Sequence, residues 1–218
     1  MPVVLLTLKV GIVSTMAMLP IAFGIAWLLS RSRVPGKLLI EGLVHLPLVV
    51  PPVVTGWMLL ELFAPAGLLG VFSGGVLFRW TGAAIAAGVM ALPLSVRAIR
   101  LSLDAVDRRL EEAAQTLGAG RRRVFWTVTL PLCGPGVLAG AVLGFARAIG
   151  EFGATITFVS SVPGETETLP LAIYAALQRP GGEAAAWRLA AVSVALSLVA
   201  LLASEWLARR MGRGKHVL

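Results

Sequence analysis

The sequence predicts an all-α integral membrane protein with five transmembrane helices. Of its 218 residues, 57% are hydrophobic and only 14% charged, and the apolar residues gather into long charge-poor runs. A soluble domain carries roughly 25% charged residues and about 45–50% apolar ones. This chain therefore has too little polar surface to cover a water-soluble globule. A single cysteine, Cys133, excludes a disulfide scaffold. The apolar content excludes disorder.

A bilayer-spanning helix needs roughly 20 apolar residues at about 1.5 Å rise each. Five segments of one domain covering residues 1–218 meet this, at approximately 10–29, 38–60, 80–100, 131–149 and 188–208. Val10–Leu29 has no ionisable side chain. It is longer than a signal-peptide core of roughly 7–15 residues, and Arg31-Ser32-Arg33 follows as a stop-transfer flank, so it reads as a retained helix. The second segment holds Pro47, Pro51 and Pro52, which break the backbone ladder and kink it. Amides and carbonyls freed in this way are tolerated in lipid only where they face protein or a water-filled cavity. That segment is either a wall of a pathway or a structural kink.

The third segment opens at Trp80. In the fourth, Gly136, Gly140 and Gly144 recur every four residues and Ala148 continues them. Such a stripe lets helices approach closely, either within a subunit or at a seam between subunits. The fifth is bracketed by Trp187 and Trp206, 19 positions apart, which a helix holds about 28 Å from each other, close to one hydrocarbon thickness. Trp27, Trp80 and Trp126 also lie near segment ends, as an interfacial belt requires; Trp57 does not.

Charge placement orients the chain. Arg31, Arg33 and Lys37 lie in the first connection, and Arg97, Arg100, Arg108, Arg109, Arg121, Arg122 and Arg123 in the stretch from Arg97 to Val128, at and beyond the end of the third segment. Arg209, Arg210, Arg213 and Lys215 lie in the tail. With five spans these regions share one side and hold fourteen of the nineteen basic residues. Positive charge stays cytoplasmic, which puts the N-terminus outside and the C-terminus inside. The basic clusters flank the membrane, so the net charge of +8 does not point to nucleic acid.

The loop at 103–128 is the most informative stretch. Leu110, Ala113, Ala114 and Leu117 fall at i, i+3, i+4 and i+7, one apolar stripe on a short helix. Asp104 or Asp107 can cap its start, and Gly118 or Gly120 can end it. Composition alone reads this either as an interfacial helix on anionic lipid or as a protein-docking surface. The spacing goes further. Glu112-Ala113-Ala114, three residues, Gly118, nine residues, then Val128-Thr129-Leu130-Pro131 resembles the EAA signature of ABC-importer permeases, with valine where isoleucine is commoner.

Leu46 to Val54 (LPLVVPPVV), Phe145 to Thr155 (FARAIGEFGAT) and Thr168-Leu169-Pro170 are similar to the molybdate permease subunits of that family, and sulfate permeases carry related versions. The resemblance implies a type I ABC importer permease in the bacterial inner membrane, N-terminus periplasmic and C-terminus cytoplasmic. Its loop would be a coupling helix built from Glu111, Glu112, Ala113, Ala114, Leu117, Gly118 and Arg121. The implied partners are a second copy in a homodimer, two cytoplasmic ATP-binding subunits and a periplasmic substrate-binding protein. The implied cargo is molybdate or tungstate. No cofactor is expected on this chain, with ATP and magnesium on the partner.

Ionisable groups at membrane depth are costly and are functional candidates by default. Arg147 and Glu151, four apart, share a helix face and can pair. Such a pair either fixes two helices or lies beside an anion pathway. Pro51, Pro52 and Thr155 complete the pathway and gate candidates. Glu41, Glu61 and Glu205 lie near segment ends, where snorkelling explains them, and His45 has no neighbour in sequence with which to build a metal site. Gly214-Lys215 continues to His216, so there is no Walker A loop. Neither G-x-S-x-G nor HExxH occurs, and the chain is expected to be a pore subunit rather than an enzyme. A passive anion channel is the rival from another class, but a channel has no need of a docking loop.

Overall fold

The structure, a computed structural model, describes residues 2–32 and 35–212. Arg33, Arg213 and the Gly214-Lys215-His216 stretch lie outside the described residues, as do the side chains of Glu205, Trp206, Arg209 and Arg210. In order, the helices are α1 (Pro2–Arg31), α2 (Lys37–Val49), α3 (Pro52–Phe63), α4 (Ser73–Val76), α5 (Trp80–Asp104) and α6 (Arg108–Thr116). They continue as α7 (Arg121–Val124), α8 (Leu130–Ile149), α9 (Gly153–Val159), α10 (Leu169–Leu177) and α11 (Glu183–Gly212). A π turn over Phe125–Thr129 joins α7 to α8. Among the described residues there is no β-strand.

Val3–Arg31, Trp80–Asp104, Arg121–Ile149 and Glu183–Ala200 are each long and apolar enough to cross a bilayer. The fifth candidate is a pair, α2 and α3, bent by 114°. Residues 38–60 are thus two rods, and the proline pair is the reason. A proline disfavours the helical region for the residue before it. Val50 precedes Pro51 and Pro51 precedes Pro52, so both turn extended, with ψ of 135° in each case. Pro52 then starts α3 at a position where its missing N–H costs nothing. Pro47 stays inside α2 and does not end it.

The core is α5, held between α1 and α8. It buries small residues, Gly82, Ala83, Ala86, Ala87, Gly88 and Ala91 among them, which is how three helices come close without a hydrophobic driving force from lipid. The glycine stripe of α8 lies against α5. A Cβ at Gly136 would stand 2.1 Å from Ser102 Cβ, one at Gly140 would stand 3.0 Å from Ile99 Cγ1, and one at Gly144 would stand 2.5 Å from Ser95 Oγ. The Ser95 hydroxyl donates to the Gly140 carbonyl at 2.7 Å. The stripe packs within one subunit. Gly136→Leu should therefore lower unfolding stability in detergent by about 1–3 kcal/mol, the usual cost of overpacking. An unchanged midpoint would mean the two helices part more easily than the contact implies.

Two short helices, α9 and α10, fill the space beside this core. α9 buries Ala154, Thr155, Phe158 and Val159, and Phe158 meets Phe63 of α3 with ring centroids 5.6 Å apart. The start of α10 is tied to α1, where the Thr7 hydroxyl accepts the Leu169 N–H at 2.8 Å.

Candidate functional site

The loop helix α6 is built as a foot with one fastened face and one bare face. Asp107 caps it, its carboxylate accepting the Arg109 N–H at 2.9 Å. Gly118 ends it at φ +87°, a left-handed position that glycine reaches without a Cβ penalty. The expected apolar stripe is present but faces outward. Leu110 is 50% and Leu117 89% exposed; Glu112, Ala113 and Gly118 are exposed too, and Ala114 is half-buried. An apolar stripe left without cover in its own chain marks a surface for a partner protein or for the membrane.

Glu111 behaves differently from its neighbour Glu112. It turns inward, where its Oε1 lies 3.1 Å from Arg31 Nη2 and accepts the Thr129 hydroxyl at 2.7 Å. Thr129 is only 1% exposed. Arg31 also donates to the Leu103 carbonyl at 3.2 Å. The carboxylate thus joins α6 to the end of α1 and to the turn that opens α8, and Arg31 carries the link on to the end of α5. Around it, Arg108 donates to the Ser30 carbonyl at 3.3 Å, and the Ser30 hydroxyl donates to Asp104 at 2.5 Å. Sequence reasoning missed Arg31 and Thr129 as members of this cluster. Both stood inside stretches already singled out, but nothing local says that residues eighty positions apart will meet.

Arg121 does not join that cluster. It edges a groove at the end of α1, beside Phe23, Trp27 and Phe125. Glu41, expected to snorkel, is paired instead with Arg100 at 2.6 Å, and Arg100 reaches Asp104 at 3.7 Å. His45 Nδ1 lies 2.8 Å from the Glu41 carbonyl. Among the described residues no group of three or more His, Cys, Asp or Glu side chains comes together as metal ligands.

The pathway candidates are brought together at the far end of α8. Arg147 Nη1 and Glu151 Oε2 are 2.5 Å apart, and Glu151 is 3% exposed. Its other oxygen accepts the Ala154 N–H at 2.8 Å, so the same carboxylate caps α9. α9 in turn leans on α3 by direct backbone approach. A Cβ at Gly56 would stand 2.4 Å from the Ala154 carbonyl oxygen, and one at Gly153 would stand 2.7 Å from Pro52 Cβ. Pro52, Gly153 and Glu151 therefore belong to one joint between α3, α8 and α9. Pro51 is exposed at the bend. Thr155 is buried in the joint. Gly56 was the member that sequence reading passed over, since a lone glycine in an apolar run has many uses.

Residues 12–213 match the family described as binding-protein-dependent transport system inner membrane component. The chain belongs to that family. As an inner-membrane component of this kind it is a multi-pass protein, and its relatives are permease subunits. It is 54% identical over 211 residues to the molybdenum transport system permease protein ModB of Escherichia coli K12, covering 94% of this chain and 92% of that one. It is 38% identical over 192 residues to the sulfate transport system permease protein CysT of the same organism, covering 86% of this chain and 69% of that one. A chain of the MetNI methionine ABC transporter, solved in inward-facing conformations, superposes with a TM-score of 0.75 at 19% identity, covering 96% of this chain and 94% of that one. That likeness is one of fold, the type I ABC importer permease.

Proposed function

We propose that this permease carries molybdate or tungstate across the inner membrane, as one of two copies in a homodimer that works with two ATP-binding subunits and a periplasmic binding protein. The observation that carries the reading is α6: one side fastened to three spans through Glu111 and Arg31, the other side bare, with small and apolar residues beside Glu112. That is the form of a lever, and a passive channel has no use for one. The greater identity to a molybdenum permease (54%) than to a sulfate permease (38%) favours the larger oxyanions over sulfate or thiosulfate.

In this reading the N-terminus is periplasmic and the C-terminus cytoplasmic, following the basic residues. Glu112, Ala113, Ala114, Leu117 and Gly118 sit in a groove of the ATPase. Closure of the two ATPases on ATP and magnesium, which this chain does not bind, draws α6. The Arg31–Glu111–Thr129 cluster passes that displacement to α1 and α8 as rigid bodies. At the other end, Arg147 supplies positive potential beside the path, and Glu151 balances it when no anion is present. Pro51 and Pro52 set the bend that lets α3 lean on α9, and Thr155 meets an anion only when α3 and α9 part.

The test is uptake of radiolabelled molybdate into proteoliposomes holding this chain, its ATPase and its binding protein. Uptake should need ATP and should persist in excess sulfate. Accumulation without ATP would favour a passive channel, and displacement by sulfate would favour a sulfate permease.

A further inference from the structure

We propose that the groove between α1 and the π turn is a binding site for one anionic phospholipid, a ligand that nothing in the transport cycle assigns to it. Four rings build its floor. Phe23 and Trp27, one turn apart on α1, stack with centroids 6.2 Å apart. Phe125 meets Trp27 edge-on at 5.2 Å and Phe23 at 6.0 Å, and Trp126 stands against Phe125 at 5.2 Å. Arg121 and Arg122 stand on the rim of this open, shallow groove, which offers about 430 Å³.

Charge and shape together say what occupies it. Among the described residues Arg121, Arg122 and Arg123 have no acidic partner, whereas Arg31, Arg100 and Arg147 all do. Two unpaired guanidiniums converging on one groove fit a phosphate, which they hold as fixed forks of donors. The aromatic floor fits the level where headgroup meets acyl chain, the place tryptophan favours in a membrane. Trp126 is 65% exposed, far more than an indole inside a folded core. Gly24 opens the groove towards the span, because a Cβ there meets nothing within 4 Å. An acyl chain can lie in that notch, which a free phosphate would leave empty. The assignment does not depend on which anion the permease carries.

The experiment is lipid titration of the delipidated full-length chain in a zwitterionic detergent, with bound lipid counted by native mass spectrometry. Phosphatidylglycerol should occupy one site, about 30-fold more tightly than phosphatidylcholine, which is about 2 kcal/mol for two arginines facing an anionic headgroup. Arg121→Gln with Arg122→Gln should abolish that preference. Gly24→Leu, which keeps both arginines and whose Cβ meets no atom within 4 Å, should weaken phosphatidylglycerol by blocking the notch. Equal retention of the two lipids, full retention by either variant, or inorganic phosphate binding as tightly as the lipid would overturn the proposal. Release of the lipid when the ATPase subunit is added would also overturn it, making the groove a protein-docking surface.

Discussion

Ala113→Trp should leave the chain folded and inserted yet reduce ATP-driven uptake in proteoliposomes to background. Ala113 is exposed on α6, so an indole there can extend into solvent and is not forced into the core. The bare face carries small residues and two leucines beside Glu112, and a partner groove shaped to alanine has no room for a side chain of this size. A mismatch on that scale removes close packing across the whole contact, because interfaces of protein density tolerate little added volume. ATP hydrolysis by the partner should continue or rise while transport stops, which separates a lost linkage from a lost ATPase. Uptake at the parent rate would show that this face docks nothing that matters.

Glu111→Ala carries the largest expected cost in stability. Arg31 and Glu111 have side chains only 10% and 17% exposed, so the substitution leaves a guanidinium shielded from water with just the Leu103 carbonyl beside it. Removing one partner of a buried ion pair costs about 3 kcal/mol or more, since the other charge stays behind. The Thr129 hydroxyl loses its acceptor as well, and an unsatisfied buried donor adds to the loss. Glu111→Gln keeps an acceptor for Thr129 and should cost less. The two variants are compared by unfolding midpoint in detergent and by molybdate carried per ATP hydrolysed. Glu111→Ala should fall furthest on both scales. Equal midpoints for parent and variant would mean that α6 is held by something other than this carboxylate.

Much of this architecture was legible because its signals are local or periodic. The charge-poor runs marked the long helices, and the pairing of Arg147 with Glu151 followed from their spacing of four. The loop stripe is amphipathic, as its spacing implies, and its apolar face is open within the chain, as either a lipid-facing or a docking helix requires. What escaped was either short or distant. α9 has seven residues and α10 nine, too few to cross a bilayer and too uniformly apolar to show a face. The break at Pro51 was expected as a kink, but its 114° depends on two successive residues driven extended, and on α3 finding a resting place on α9. Glu111 and Glu112 are chemically identical neighbours. Only the helix rotation relative to Arg31 and Thr129 decides that one serves the interior and the other the surface.

The π turn at Phe125–Thr129 has a consequence for chain length. Each helical residue advances the azimuth by about 100°, so the wide turn works as a shim that sets how the glycine seam of α8 is clocked against the foot. Inserting one more residue there would spare every side chain named above and still swing α6 around by about 100°, pointing its leucines away from where they now project. A turn that already holds one residue more than an α-helical turn has no room to absorb a second.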